Sequence, residues 1–113
     1  MKPEMSLTVQ EQHTLQQFKK ALGERFGSDI VEIRVFGSKA RGDAGPESDL
    51  DVLVVTERDD WRLKEQIGRV ATGILLEEGI YLSIKVFGRS FYQQLVEMET
   101  PFIKNVLRES IPV

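Results

Sequence analysis

Two small groups of residues in this chain have the types and spacing to do chemistry together. Gly37-Ser38 offers backbone N–H groups and a hydroxyl, donors that suit phosphate oxygens. After ten intervening residues, Asp49 and Asp51 offer two carboxylates, hard oxygen ligands for a divalent metal. Each group alone is commonplace. A Gly-Ser after an apolar run is ordinarily a turn, and an Asp-x-Asp before one is ordinarily solvated or capping. The combination, in this order, suits a nucleoside triphosphate with Mg²⁺.

The elements around them must bring the two groups together. Residues 30–36 (IVEIRVF) are β-branched and apolar and predict a strand that ends at Gly37. Residues 50–55 (LDVLVV) predict a second strand, buried for most of its length. Gly-Ser then lies at the exit of the first strand and the aspartates at the start of the second. The two strands must run antiparallel if both groups serve one cluster. Side chains alternate along a strand, so Asp49 and Asp51 share a face with Cα atoms roughly 6–7 Å apart. That spacing suits ions roughly 3.5–4 Å apart. Leu50, Val52 and Val54 then point the other way, into a core.

Residues 37–55 (GSKARGDAGPESDLDVLVV) resemble the signature of the nucleotidyltransferase superfamily that includes DNA polymerase beta. At this length the chain is most similar to the minimal nucleotidyltransferases (MNT) of bacteria and archaea. The resemblance implies that Gly37 and Ser38 bind the triphosphate and that Asp49 and Asp51 are the catalytic metal ligands. Arg41 matches the basic position of the motif, as a phosphate contact or a brace for the loop. The resemblance further implies two Mg²⁺ ions, ATP as the nucleotide, and transfer of a nucleoside monophosphate to an acceptor hydroxyl with release of pyrophosphate. It also implies a small helical partner of the HEPN type, in some pairs as a toxin–antitoxin system.

Composition narrows the alternatives. The 113 residues suit one domain spanning 1–113, with 41% apolar and 29% charged residues as in soluble globular proteins. A net charge of −3 argues against broad nucleic-acid binding, which needs a basic surface, but leaves a small nucleotide held through metal. With no cysteine there is no disulfide, thiol chemistry or Cys-based zinc site. The first twenty residues lack the apolar core of a signal peptide, and no run approaches the ~20 apolar residues of a membrane span. The expectation is a cytoplasmic protein without membrane contact. A homo-oligomer is left open.

Residues 1–6 read as a loose tail. Thr8 to Glu11 has capping-box spacing and should start a helix carrying Leu15, Phe18, Leu22 and Phe26. Residues 39–42 suggest a short helical turn, and residues 42–48 a turn-rich loop. Asp59 or Asp60 should cap a helix burying Ile67, Val70, Ala71, Ile74 and Leu75, and Gly79 should stop it. Residues 80–87 (IYLSIKVF) form the third predicted strand. Ser90 to Gln93 is a second capping-box pattern, and Thr100-Pro101 a third helix start, with Phe102, Ile103 and Val106 facing inward. Trp61 reads as a packing anchor and His13 as a surface residue. Arg34 and Arg58 either flank the site or lie solvated at the surface. The expected fold is α/β (α+β): a small mixed sheet with helices mainly on one face, polymerase beta-like, the other face open to substrate.

One departure from the resembled pattern matters. Active members usually carry a third carboxylate on the strand after the Asp-x-Asp strand. Here alternation puts Tyr81, Ser83 and Lys85 on that face, without an acid. Asp43, Glu47, Glu77 or Glu78 fills the place; or two aspartates suffice for slow transfer; or Lys85 neutralises the site and leaves an inert binding module or antitoxin acting by contact. The second is the working expectation.

Overall fold

The computed structural model describes residues 7–41 and 49–113, and for Ser38 and Arg41 the backbone only. The tail expected at 1–6 and the loop at 42–48 lie outside the described residues.

Helix α1, Val9–Phe26, begins where the sequence signals it. The Glu11 N–H donates to Thr8 Oγ1 at 3.0 Å, and the Thr8 N–H donates to Glu11 Oε1 at 2.9 Å. These bonds satisfy two of the free donors at a helix start. A short 3-10 turn, Gly27–Asp29, leads into strand β1, Ile30–Phe36. A single helical turn, α2 (Ser38–Arg41), follows β1, and strand β2 spans Leu50–Thr56. Helix α3, Trp61–Glu78, is capped by Asp60, whose Oδ1 accepts the Arg62 N–H at 2.9 Å. It ends at Gly79, which adopts φ +74°, a left-handed conformation that glycine tolerates without a Cβ penalty. Strand β3 spans Leu82–Gly88, two residues later at its start than the apolar run suggests. Helices α4, Arg89–Met98, and α5, Pro101–Glu109, complete the helical set, and a two-residue strand β4, Ile111–Pro112, closes the chain.

The sheet order is β3-β2-β1-β4. Strand β1 runs antiparallel to β2, as a shared site requires, and β2 runs parallel to β3. A parallel pair needs a crossover, which α3 supplies. The 18-residue helices α1 and α3 cover one face. There Leu15, Phe18 and Leu22 meet Ile33, Val35, Val52, Val54, Ile67 and Ile74 in the main core. Phe18 is fully buried, so Phe18→Ala is expected to cost about 3–5 kcal/mol. A lowered urea midpoint with an unchanged slope is the reading to look for.

The opposite face is only partly open. The shorter α4 and α5 pack on its far half, where Leu53, Val55, Ile103 and Val106 form a second core with Phe36, Phe87 and Tyr92 at its margin. Phe36 meets Phe102 edge-on at 5.7 Å, and Phe87 meets Phe91 at 5.4 Å, so these rings pack on one another as core aromatics do. The Tyr92 phenol titrates above its ordinary range, because burial and the nearby Glu32 carboxylate disfavour its anion; Arg34 opposes them.

Several local readings change. Leu75 is 37% exposed, and Leu63 takes the buried place at the other end of α3. Helix α4 starts from Gly88 with no side-chain cap, so Ser90 to Gln93 is not a capping box. Added at Gly88, a Cβ would lie 2.7–2.8 Å from Asp59, which explains glycine at this junction. Trp61 is 67% exposed, with the Arg62 guanidinium 5.4 Å from its ring centroid, and is not a core anchor. Among the described residues no helix is long and apolar enough to cross a membrane.

Candidate active site

The site lies where β1 ends and β2 begins. Phe36 pairs with Asp51 across the two strands, so the turn after β1 falls directly on that aspartate. Gly37 makes the turn with φ +77°. An added Cβ there would sit 2.5 Å from Asp51 Oδ2 and 3.3 Å from its Cγ. Glycine is thus required twice, for its conformation and for the approach of the Asp51 carboxylate. Gly37→Ala is expected to lower kcat/KM about 10²-fold through displacement of this carboxylate, with a smaller proportional loss of thermal stability. Steady-state kinetics beside a melting curve separate the two effects.

The aspartates differ in setting. Asp49, the residue before β2, is exposed; along one face of β2, Asp51 is half-buried, and Leu53 and Val55 are buried under α4 and α5. Asp51 therefore stands half-buried at the rim of the second core, where apolar packing holds the strand beyond it. The parallel register sets Ser83 beside Asp51. Leu82, Ile84 and Val86 face the main core, so Ser83 and Lys85 share the face of Asp51, as alternation predicts. Lys85 pairs with Leu53, two residues further along, and is exposed.

Ser83 thus occupies the strand position beside Asp51 where the sequence pattern lacked an acid. Glu77 and Glu78 do not fill the gap: among the described residues no three acids or histidines gather as a metal cluster. Glu78 instead turns to α1, with its carboxylate 3.7 Å from His13 Nε2 and its carbonyl accepting from Gln10. Asp43, Glu47 and the side chains of Ser38 and Arg41 lie outside the described residues. Arg34 is held by Glu32 at 2.7 Å and by Ser110, and Arg58 lies beside Asp29 at the opposite end of β2. Neither is placed at the carboxylates.

The donors fit Mg²⁺ carried by a triphosphate. Mg²⁺ is commonly held by one or two carboxylates, with substrate phosphates and water completing its shell. The space kept clear by Gly37 lies against one of these carboxylates.

Lys39 is the feature that sequence reading passed over. It is 4% exposed, and its ammonium lies 3.1 Å from Glu11 Oε2. The available signal was a lysine inside a turn motif together with a glutamate already fixed in a capping box.

A glycine turn folded against an aspartate, on antiparallel strands flanked by a parallel third strand, has the architecture of a nucleotidyltransferase. The comparisons agree: the chain belongs to the nucleotidyltransferase domain family, whose profile matches residues 15–111. It is 38% identical over 108 residues to the protein adenylyltransferase MntA of Thermococcus cleftensis, spanning 95% of this chain and 97% of that protein. It is 30% identical over 101 residues to the "Putative protein adenylyltransferase MJ0604" of Methanocaldococcus jannaschii, spanning 89% and 95%. A solved structure described as that of a "putative minimal nucleotidyltransferase" superposes with a TM-score of 0.58 at 29% identity, covering 90% of this chain and 94% of that one. The chain is a nucleotidyltransferase of the minimal type.

Proposed function

We propose that this chain transfers AMP from ATP to a hydroxyl on a partner protein and releases pyrophosphate. The observation that carries the reading is the closure of the Gly37 turn onto Asp51. The choice of AMP and of a protein acceptor is supported by the relatives named as protein adenylyltransferases.

In this reading Asp49 and Asp51 hold Mg²⁺. The metal, when bound, neutralises triphosphate charge and lowers the cost of deprotonating the attacking hydroxyl. Gly37 and Ser38 donate hydrogen bonds to the phosphate oxygens, and Arg41 contacts a phosphate or braces the loop. The acceptor oxygen forms a bond to the α-phosphorus as the bond to the bridging oxygen breaks. Pyrophosphate departs and the hydroxyl proton passes to water. Ser83 can donate or accept a hydrogen bond beside Asp51, but it is no base at neutral pH. Among the described residues no third acid gathers with the two aspartates; loss of a positioned base typically costs about 10²–10⁴-fold, so turnover is expected to be slow. The proposed acceptor is a small helical protein of the HEPN type, within a toxin–antitoxin pair in the cytoplasm, where ATP and Mg²⁺ are available.

Ser83 beside Asp51 also favours a second reading, a nucleotide-binding antitoxin that acts by contact alone. Incubation with α-phosphate-labelled ATP, CTP, GTP and UTP, Mg²⁺ and the product of the adjacent gene separates the two. Label on the partner from ATP, lost in Asp49→Asn/Asp51→Asn, supports transfer. A stable complex that binds Mg·ATP without labelling supports contact alone.

A further inference from the structure

We propose that Lys39 is a positioning residue for the Gly37-Ser38 turn, acting through a buried ion pair with Glu11 and not as a phosphate ligand. Helix α2 is a single turn, Ser38–Arg41, and a lone turn does not hold its shape without tertiary support. Two anchors supply that support. Ala40 is fully buried in the main core. Lys39, next to Ser38, is sealed from solvent with its ammonium 3.1 and 3.3 Å from the two oxygens of Glu11.

Glu11 is itself fixed. Its Oε1 accepts the Thr8 N–H at 2.9 Å, and its own N–H donates to Thr8 Oγ1 at 3.0 Å. One carboxylate therefore joins the first turn of α1 to the turn motif, 28 residues away in sequence. A buried ammonium is costly unless paired, and this one is paired. For Lys39 to reach a triphosphate, the pair would have to break and Glu11 would be left as an uncompensated charge. Held as it is, Lys39 sets the direction in which α2 leaves β1, and so the aim of the Gly37 and Ser38 donors. Displacements of about 1 Å at such donors cost on the order of 10²-fold in rate.

The functional consequence rests on Gly37 and Ser38 contacting the triphosphate; the structural consequence does not. The test compares wild type, Lys39→Met, Glu11→Gln and the double variant by amide hydrogen exchange and by equilibrium binding of Mg·ATP. Glu11→Gln keeps the capping box, because glutamine also serves at that position, so it removes the ion pair alone. Both single variants are expected to speed exchange at residues 37–41 and to weaken Mg·ATP binding by about 10–100-fold, the scale of lost outer supports. The double variant is expected to cost no more than the worse single, because the two residues act as a unit.

A phosphate-binding Lys39 gives the opposite sign for Glu11→Gln: freeing the ammonium would tighten Mg·ATP binding. That result, or exchange at 37–41 unchanged in both singles, overturns the proposal. Failure of the wild-type protein to bind Mg·ATP would instead overturn the proposed function, and the exchange arm alone would then decide the role of Lys39.

Discussion

Asp51→Asn is expected to cut Mg²⁺-dependent transfer by about 10³-fold or more, the upper range for loss of one preorganised charged or polar group at a reacting centre. The substitution preserves size and backbone pairing. Asp51 sits between Phe36 and Ser83 in the sheet, with Leu53 buried two residues on, so the strand has no reason to move. The charge of the carboxylate that the Gly37 turn approaches disappears, and under the proposed function that carboxylate is a metal ligand. The melting temperature should shift by no more than a few degrees, which separates a lost ligand from a lost fold. Asp49→Asn should act in the same direction with a smaller effect, because Asp49 is exposed and less constrained. If Asp51→Asn labels the acceptor at the wild-type rate, Asp51 is not the metal ligand.

Ser83→Asp is expected to raise the transfer rate by about 10²-fold, at the lower end of what a positioned base supplies. The parallel register sets residue 83 next to Asp51 on a neighbouring strand, roughly 4.8 Å away. The side chain there is half-buried and shares the face of Asp51. A carboxylate at this point would stand beside Asp51 as a third acid of the proposed site. It would also repel Asp51 when no cation is bound. The variant should therefore melt lower than wild type in EDTA and gain more from added Mg²⁺, as linkage requires when a ligand binds only the native state. A variant that is no faster, and whose melting temperature does not respond more strongly to Mg²⁺, would place Ser83 outside the metal centre.

Much of this protein is legible without coordinates. The Thr8–Glu11 cap, the Gly79 stop, the Thr100-Pro101 start and the limits of β1 depend on residues close in sequence. Alternation along residues 49–55 and 81–86 assigns Asp51 and Ser83 to one face and Leu50, Val52, Leu82 and Ile84 to the core, because the side-chain period of a strand is two whatever surrounds it.

Local pattern and final structure differ where non-local packing intervenes. Leu75 continues the apolar stripe of α3 yet is 37% exposed, while Leu63, at the other end of the helix, is buried. Ser90 has capping-box spacing, but α4 already begins at Arg89 with Gly88 as its N-cap, which puts Ser90 inside the helix. Strand β4 is only two residues long and exists because Ile111 and Pro112 find the free edge of β1. Phe102 is partly exposed and still belongs to the aromatic cluster, through contacts with Phe36 and Phe87.

The sequence by itself determined the chemical inventory: a glycine-serine turn, two aspartates two residues apart at the entry to a strand, and a third strand whose polar face carries no acid. Those properties follow from residue type and backbone period, which are local. Only the tertiary structure decided that Phe36 pairs with Asp51, that Ser83 stands beside it, that α4 and α5 cover the far half of the site face, and that Glu11 holds Lys39. Strand register and buried ion pairs join residues tens of positions apart, and they are selected by the packing of the whole core, on which no short window of sequence bears.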